Sequence, residues 1–125
     1  MIPKFDPVIH APIRLQICAL VAPLLYAEFQ LLRDEMGVSD SVLSKHLKQL
    51  EDAGYVVLSQ HKVEASGRQR TRVMLSAKGR KAFAAHVATL QAIASLANGG
   101  EVESPAEALE TDGDDPIVAA GSETA

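Results

Sequence analysis

The sequence has little of what secretion or membrane insertion requires. It contains no apolar run of about 18 residues or more, and its first six residues, MIPKFD, lack the charged-then-apolar pattern of a secretory signal. Its single cysteine, Cys18, can form neither an internal disulfide nor a cysteine-rich zinc site, which agrees with a reducing compartment. These absences predict a cytoplasmic protein that has no membrane partner.

The sequence also lacks the arrangements that enzymes use. No Ser-His-acid order, paired carboxylate site or phosphate-cradling glycine loop is visible. The spacing of the four histidines (His10, His46, His61 and His86) matches no zinc pattern, and a lone histidine is more often a packing or surface residue than a ligand. Cys18 is most simply a small buried hydrophobe, with a redox-sensing thiol as the alternative. We therefore predict no enzyme activity, no catalytic residues, no metal site and no cofactor.

Basic residues are absent from the end of the chain. Residues 97–125 contain 8 acids and no base, whereas residues 1–96 contain all 12 lysines and arginines and the other 8 acids, a formal charge of +4. Nine of these bases fall within residues 45–81 beside three acids, which is typical of a surface that binds a polyanion. We predict one folded domain at 1–97 and a disordered acidic tail at 98–125, which either shields the basic surface or only aids solubility.

Apolar residues recur at helical spacing at both ends of the predicted domain. A first helix begins at Pro12, which is tolerated in a first turn, and ends or bends at Pro23. A last helix, capped by Ser76, runs to about Ala97 and is long for so small a domain. Both helices carry an apolar stripe suited to lengthwise packing, so we predict a homodimer that forms through them. The predicted dimer residues are Ile13, Ile17, Leu20, Phe83, Val87, Leu90 and Ala94.

Two helices joined by a short turn are predicted between these ends. The first covers residues 26–36 and ends at Gly37, which supplies the left-handed conformation that commonly closes a helix. The second covers Asp40 to about Ala53 with Ser39 as its N-cap, and its leucines share one face while its polar residues point the opposite way.

A β-hairpin is predicted to follow. Residues 55–58 form one strand, residues 59–69 a polar segment with Gly67 at its tip, and residues 70–75 the returning strand. The order helix, helix, turn, helix, hairpin, long helix is that of a winged helix-turn-helix. The predicted fold class is therefore mainly α with a small β-hairpin (α+β), a winged helix-turn-helix with a long C-terminal dimerisation helix.

The stretch GVSDSVLSKHLKQLEDAGYV, followed by the basic hairpin and LSAKGRKAFAAHVATL, resembles the winged helix-turn-helix transcriptional regulators of the MarR and ArsR superfamily. The resemblance is closest to the minimal winged-helix DNA-binding subgroup, covers roughly residues 8–96 and leaves the acidic tail outside. It implies a sequence-specific regulator, a repressor, that binds double-stranded DNA as a homodimer at a pseudo-palindromic operator. The alternative is a winged-helix protein-protein interaction module with no specific DNA site. Neither the resemblance nor the residues identify a small-molecule effector.

The third predicted helix and the hairpin carry the candidate DNA contacts. A helix in the major groove needs short side chains near its amino end and cations further along, and hairpin arginines suit a minor groove or the DNA backbone. Arg70 and Arg72 share a strand face by the two-residue period. The alternative for the helix is an ordinary solvated face. The alternative for the hairpin, which lacks interleaved aromatics, is a turn that only aids solubility. The predicted DNA-binding residues are Ser39, Asp40, Ser41, Ser44, Lys45 and Lys48 near or on the helix and Lys62, Arg68, Gln69, Arg70 and Arg72 on the hairpin.

Overall fold

A computed structural model describes residues 4–63 and 67–99 of the chain. The chain divides into two units, Met1–Leu90 and Gln91–Ala125. The elements are α1 (Pro7–His10), α2 (Pro12–Val21), β1 (Ala27–Glu28), α3 (Phe29–Met36), α4 (Asp40–Asp52), β2 (Val56–Lys62), β3 (Gln69–Leu75) and α5 (Ala77–Ala97). This order confirms the α+β winged helix-turn-helix with a long last helix. Of the predicted tail at 98–125, the residues from 100 onward lie outside the described residues.

The turn between α3 and α4 forms through the two local signals that the sequence shows. Gly37 adopts the left-handed conformation, with a φ of 66°, and its N–H donates to the carbonyl of Arg33 across 2.9 Å. Ser39 then caps α4, because its Oγ accepts a hydrogen bond of 3.2 Å from the N–H of Val42. These two contacts set where α4 begins and therefore which of its side chains face outward. Its buried residues are the predicted Leu43, Leu47 and Leu50.

Three antiparallel strands form a sheet in the order β1, β3, β2. β2 and β3 make the hairpin, with Val56 opposite Leu75 at its base and Lys62 opposite Gln69 at its far end. The first strand of the hairpin, β2, is longer than predicted, because residues 59–62 pair with β3 instead of forming a loop. The paired part of the hairpin is therefore longer than the sequence pattern indicates.

The short strand β1 corrects the predicted start of the second helix. Ala27 lies opposite Val73 of β3, and Glu28 lies opposite Arg72. Ala27 and Val73 are both buried, so this pairing joins the core to the sheet. The pairing holds the chain extended, so α3 begins at Phe29, and the predicted helix start three residues earlier is wrong.

The first turn of helix, α1, lies in residues whose sequence pattern predicts no helix. Asp6 caps it, since its Oδ1 accepts from the N–H groups of Val8 at 2.9 Å and Ile9 at 3.2 Å. Pro7 occupies the first helical position, where its missing N–H is not needed. This Asp-Pro pair is a local helix-start signal that could have identified α1, although four residues are too few to show a helical period. Ile9 is fully buried and brings α1 onto the core.

The start of α5 is held against the end of α4 by a close backbone approach. The Oγ of Ser76 accepts from the N–H of Gly79 at 2.9 Å and donates to the carbonyl of Gly54 at 2.6 Å. A Cβ at Gly79 would lie 2.1 Å from the carbonyl oxygen of Tyr55, so a glycine is required there. Ser76 therefore acts as the predicted cap, and Gly79 allows α5 to dock.

The core lies between the helices and the inner face of the sheet. Cys18 is fully buried in it, and burial, followed by the charge of Asp6, raises the pKa of its thiol to about 11. A thiol that is protonated at neutral pH is a poor nucleophile, which favours the packing role over redox sensing. Other fully buried core residues are Ile9, Ile17, Val21, Leu43, Leu50 and Val73.

Candidate nucleic-acid interface

The outward face of α4 carries short polar side chains and a lysine. Ser41, Ser44 and Lys45 are all exposed, opposite the buried leucines. The Oγ of Ser41 lies 3.3 Å from the Oγ of Ser39 at the helix cap. This face presents hydroxyl groups at the amino end of α4 and a cation further along, which is the arrangement that base and phosphate contacts require.

Two charged residues of the predicted set form ion pairs within the helix-turn-helix. Asp40 Oδ1 lies 3.0 Å from Arg33 Nη1, and the hydrogen bonds of Arg33 to Asp40 and then Asp34 raise the pKa of its guanidinium. Lys48 Nζ lies 3.1 Å from Asp52 Oδ1, a bond that raises the pKa of Lys48. Asp40 therefore ties α4 to α3. The ion pair of Lys48 with Asp52 is exposed, so breaking it costs little.

The two arginines on β3 share an acidic partner. Glu28 Oε1 lies 3.8 Å from Arg70 Nη1, and Glu28 Oε2 lies 3.7 Å from Arg72 Nε. The guanidinium of Arg72 also lies over the ring of Tyr26, 4.2 Å from its centroid. The side chain of Arg72 is 32% exposed and that of Arg70 is 45% exposed. The common face predicted for the arginines is confirmed, and Arg72 is the more firmly held by neighbouring side chains.

An open groove runs between α4 and the hairpin, and we call it the α4–β3 groove. Three predicted DNA-binding residues border it together: Ser44 of α4 and, distant from it in sequence, Gln69 and Arg70 of β3. The other lining residues are Glu28, Phe29, Gln30 and Thr71. Outside this lining lie the remaining predicted residues: Ser39, Asp40, Ser41, Lys45 and Lys48 beside or on α4, and Lys62, Arg68 and Arg72 on the hairpin.

A side-chain contact joins α2 to α4. Arg14 Nη1 donates to Nδ1 of His46 at 3.1 Å and to Oε1 of Gln49. Burial, followed by the positive charges of Arg14 and Lys45, lowers the pKa of His46, so its ring is neutral at pH 7. Sequence reasoning missed this role of Arg14, because the partners are far apart in the chain. His46 is thus a packing residue of the helix-turn-helix.

His10 and His86, which the sequence analysis treats as lone histidines, are neighbours. Nδ1 of His10 lies 3.0 Å from Nε2 of His86, and Phe5 packs against both rings.

Across residues 4–63 and 67–99, no group of three or more His, Cys, Asp or Glu side chains is placed to hold a metal ion. In the same part of the chain, no helix has the length and apolar content that crossing a membrane requires.

The residues predicted for the dimer interface have unequal exposure. Ile17 is fully buried in the core of the chain, which corrects its assignment, since a side chain without exposed surface cannot form part of an interface. Ile13, Leu20 and Phe83 are half-buried and pack on the core. The rest of the predicted set is more peripheral: Val87 and Leu90 are half-buried and Ala94 is exposed.

A protein family and a relative of known sequence match this chain. Residues 13–94 match the family described as winged helix DNA-binding domain. An uncharacterized protein of Methanocaldococcus jannaschii is 34% identical over 76 residues, which are 61% of this chain and 80% of that protein. The resemblance that the sequence motifs indicate is therefore confirmed at the level of the winged helix domain.

Solved structures show the same fold. A transcriptional regulator homologue protein from Pyrococcus horikoshii superposes with a TM-score of 0.66 at 21% identity, over 78% of this chain and 91% of that chain. The transcriptional regulator BldR from Sulfolobus solfataricus superposes with a TM-score of 0.58 at 18% identity, over 81% of this chain and 69% of that chain. At these identities the likeness is one of fold.

Proposed function

The chain belongs to the winged helix DNA-binding domain family, and from that premise we propose that it regulates transcription by binding a specific sequence of double-stranded DNA. It acts in the cytoplasm as a homodimer on a pseudo-palindromic operator, and it represses by occupying that operator and excluding other proteins from it. The observation that carries the proposal is the α4–β3 groove, which Ser44, Gln69 and Arg70 line together.

In this proposal α4 enters the major groove. Its exposed Ser41 and Ser44 are short enough to let the helix backbone approach the base edges. Lys45 lies on the same exposed surface and suits a phosphate or a guanine. The amino end of α4 itself favours a phosphate, because the helix dipole places partial positive charge there.

The hairpin supplies the second contact. Gln69 and Arg70 are exposed at the start of β3, and the exposed Lys62 lies opposite Gln69 on β2. A guanidinium in this position reaches the phosphate backbone or the adjacent minor groove. Since Arg70 and Ser44 border one groove, α4 and the hairpin contact the same stretch of duplex.

A second subunit supplies the matching half of the interface. We place the seam on the half-buried apolar residues Leu20 of α2 and Val87 and Leu90 of α5, whose remaining surface a partner would cover. Two α4 helices related by a twofold axis read half-sites about 34–36 Å apart, one turn of the duplex. A palindromic operator follows from that symmetry.

Selection of bound sequences from random duplex DNA tests the proposal. We expect an enriched inverted repeat whose affinity falls as salt rises, because bound phosphates release counterions. Lys45→Ala and Arg70→Ala should each weaken binding and reduce the slope of log K against log salt by roughly 0.9 for each phosphate that is no longer bound. Lys4→Ala removes the same charge from an exposed position outside the α4–β3 groove and serves as the matched control.

Two results would contradict the proposal. One is selection that enriches no sequence, and the other is a salt slope that is the same in the wild type, in Lys45→Ala and in Arg70→Ala. Either result would favour the protein-protein interaction module as the function of this surface.

A further inference from the structure

Among the described residues that line the α4–β3 groove, Glu28 is the only acid. It lies on β1, with its Cα opposite that of Arg72 on β3, and its side chain is 30% exposed. A carboxylate at this place repels the phosphates that the surface is proposed to bind. The effect of Glu28 on DNA binding therefore depends on how strongly the neighbouring arginines offset its negative charge.

The carboxylate of Glu28 attracts two arginines without forming a hydrogen bond to either. Its distances of 3.8 Å to Arg70 Nη1 and 3.7 Å to Arg72 Nε exceed hydrogen-bond length. Glu28 Oε1 and Arg72 Nε are both buried and have no hydrogen-bond partner among the described residues. The attraction is therefore Coulombic, and Arg70 can leave Glu28 without breaking a directional bond.

The two arginines differ in how firmly they are held. Arg72 is packed over Tyr26 as well as paired with Glu28, and it does not line the α4–β3 groove. Arg70 borders that groove and is the more exposed of the two. Arg70 is thus the cation that can exchange Glu28 for a DNA phosphate or base, while Arg72 keeps the carboxylate in place.

We propose that Glu28 is a positioning residue that sets the specificity of DNA binding through Arg70. It holds the Arg70 guanidinium at the wall of the α4–β3 groove and offsets its charge until a matching duplex draws the arginine away. On a duplex whose bases do not fit α4, Arg70 stays with Glu28 and the protein binds weakly. This inference rests on the proposed function, since it names how that same surface discriminates between sequences.

Glu28→Gln tests the inference, because it keeps the shape of the side chain and removes its charge. The probes are the most enriched duplex from the selection and a scrambled duplex of equal length. We expect affinity for the scrambled duplex to rise roughly fivefold and its salt slope to steepen by about 0.9, since Arg70 then binds a phosphate there. Affinity for the selected duplex should rise less, so the ratio of the two affinities falls.

Three further variants isolate the role of the charge. Glu28→Asp keeps the carboxylate and should restore most of the affinity ratio. Glu35→Gln removes an exposed acid of α3 outside the groove lining and should leave the ratio unchanged. In an Arg70→Ala background, Glu28→Gln should no longer change the ratio, because the residue through which it acts is absent.

A measurement without DNA separates this inference from the proposed function. The ¹⁵N relaxation of the Arg70 guanidinium in the unbound protein should show a more mobile side chain in Glu28→Gln than in the wild type. An unchanged affinity ratio, an equal effect in the Arg70→Ala background or unchanged Arg70 mobility would each overturn the role of Glu28. Wild-type protein that binds neither duplex would instead overturn the proposed function, and the specificity role with it.

Discussion

The backbone N–H of Asp6 donates a hydrogen bond to Nδ1 of His86 across 3.3 Å, joining the start of α1 to the middle of α5. Because a backbone N–H can only donate, Nδ1 of His86 must accept, and the proton of the neutral ring lies on Nε2. That nitrogen in turn faces Nδ1 of His10 at 3.0 Å. His86 is 2% exposed, so this chain of hydrogen bonds requires a neutral histidine in a buried place.

The stability of the fold should depend on the protonation of His86. Burial, followed by the charge of His10, lowers the pKa of His86 below its ordinary value of 6.5, and the carboxylate of Asp6 opposes this effect. The unfolded chain therefore binds a proton at higher pH than the folded chain does. We therefore expect the free energy of unfolding to have its full value above pH 6.5 and to decrease as the pH falls below 6.5.

Urea unfolding at a series of pH values between about 8 and 5 measures this effect. His86→Asn, which does not titrate, should be less stable overall but should lose less stability across that range. His61→Asn on β2 lies outside this hydrogen-bond network and is the matched control. A slope for His86→Asn equal to that of the wild type would exclude His86 as the source.

The hydroxyl of Tyr55 should stabilise the amino-terminal turn through Asp6. It donates to Asp6 Oδ2 across 2.6 Å, and this bond raises the pKa of Tyr55 to about 12. Tyr55→Phe removes the donor from a charged acceptor and should cost about 1–2 kcal/mol in urea unfolding. Tyr26→Phe, which keeps the ring that packs on Arg72, should cost less than about 0.5 kcal/mol. Equal losses in the two variants would contradict the role of this bond.

Gly79→Ala should destabilise the protein although it places a better helix former in α5. In an ordinary helix, a change from glycine to alanine raises the free energy of unfolding by about 0.5–1 kcal/mol. Here the new Cβ would lie 2.1 Å from the carbonyl oxygen of Tyr55, so the two backbone segments must move apart. We therefore expect the free energy of unfolding to fall by about 2–3 kcal/mol. The melting temperature reports the change, with the exposed Ala84→Gly as a control for helix propensity. A Gly79→Ala protein as stable as the wild type would show that α5 can dock without this contact.

Two serines near the amino end of α4 should separate stability from DNA binding. Ser39→Ala removes the cap of α4 and should lower the free energy of unfolding by about 1 kcal/mol. Ser44→Ala alters an exposed groove residue and should weaken binding of the selected duplex at unchanged stability. Thermal unfolding and a binding titration on the same samples test both. A less stable Ser44→Ala protein would contradict the role of Ser44 as a groove contact alone. A Ser39→Ala protein as stable as the wild type would contradict the role of Ser39 as the cap.

A charge placed in the proposed dimer seam should separate the subunits. Leu90→Glu introduces a carboxylate at a half-buried apolar position of α5, and we expect a monomer in sedimentation. Ala88→Glu, at an exposed position of the same helix, is the control and should remain a dimer. If Leu90→Glu has the same mass as the control, the seam lies elsewhere.

Elements with strong local signals were predictable from the sequence. Helix α4 combines a repeat of buried leucines with Gly37 before it and Ser39 as its cap, and the structure reproduces its start. α1 and β1, with four and two residues, are too short to show a period. β1 forms because β3 offers it a partner, so the start of α3 depends on a strand that lies later in the chain.

The candidate DNA contacts were predictable as residue types, and their partners were not. Exposed serines, lysines and arginines follow from position on α4 and β3. The position of Glu28 beside Arg70 and Arg72 depends on which strand joins β3, and no spacing in the sequence shows it. The pairing of His10 with His86 is likewise a contact between distant residues.

By itself, the sequence determined that this chain builds a winged helix with a polar helix and a basic hairpin, because apolar period, caps and turn residues act between neighbours along the chain. Only the tertiary structure decided that Glu28 lies beside Arg70, that Ile17 faces inward and that His86 must stay neutral. Those outcomes depend on packing and on charges brought together from separate segments, and packing is settled by the whole fold at once.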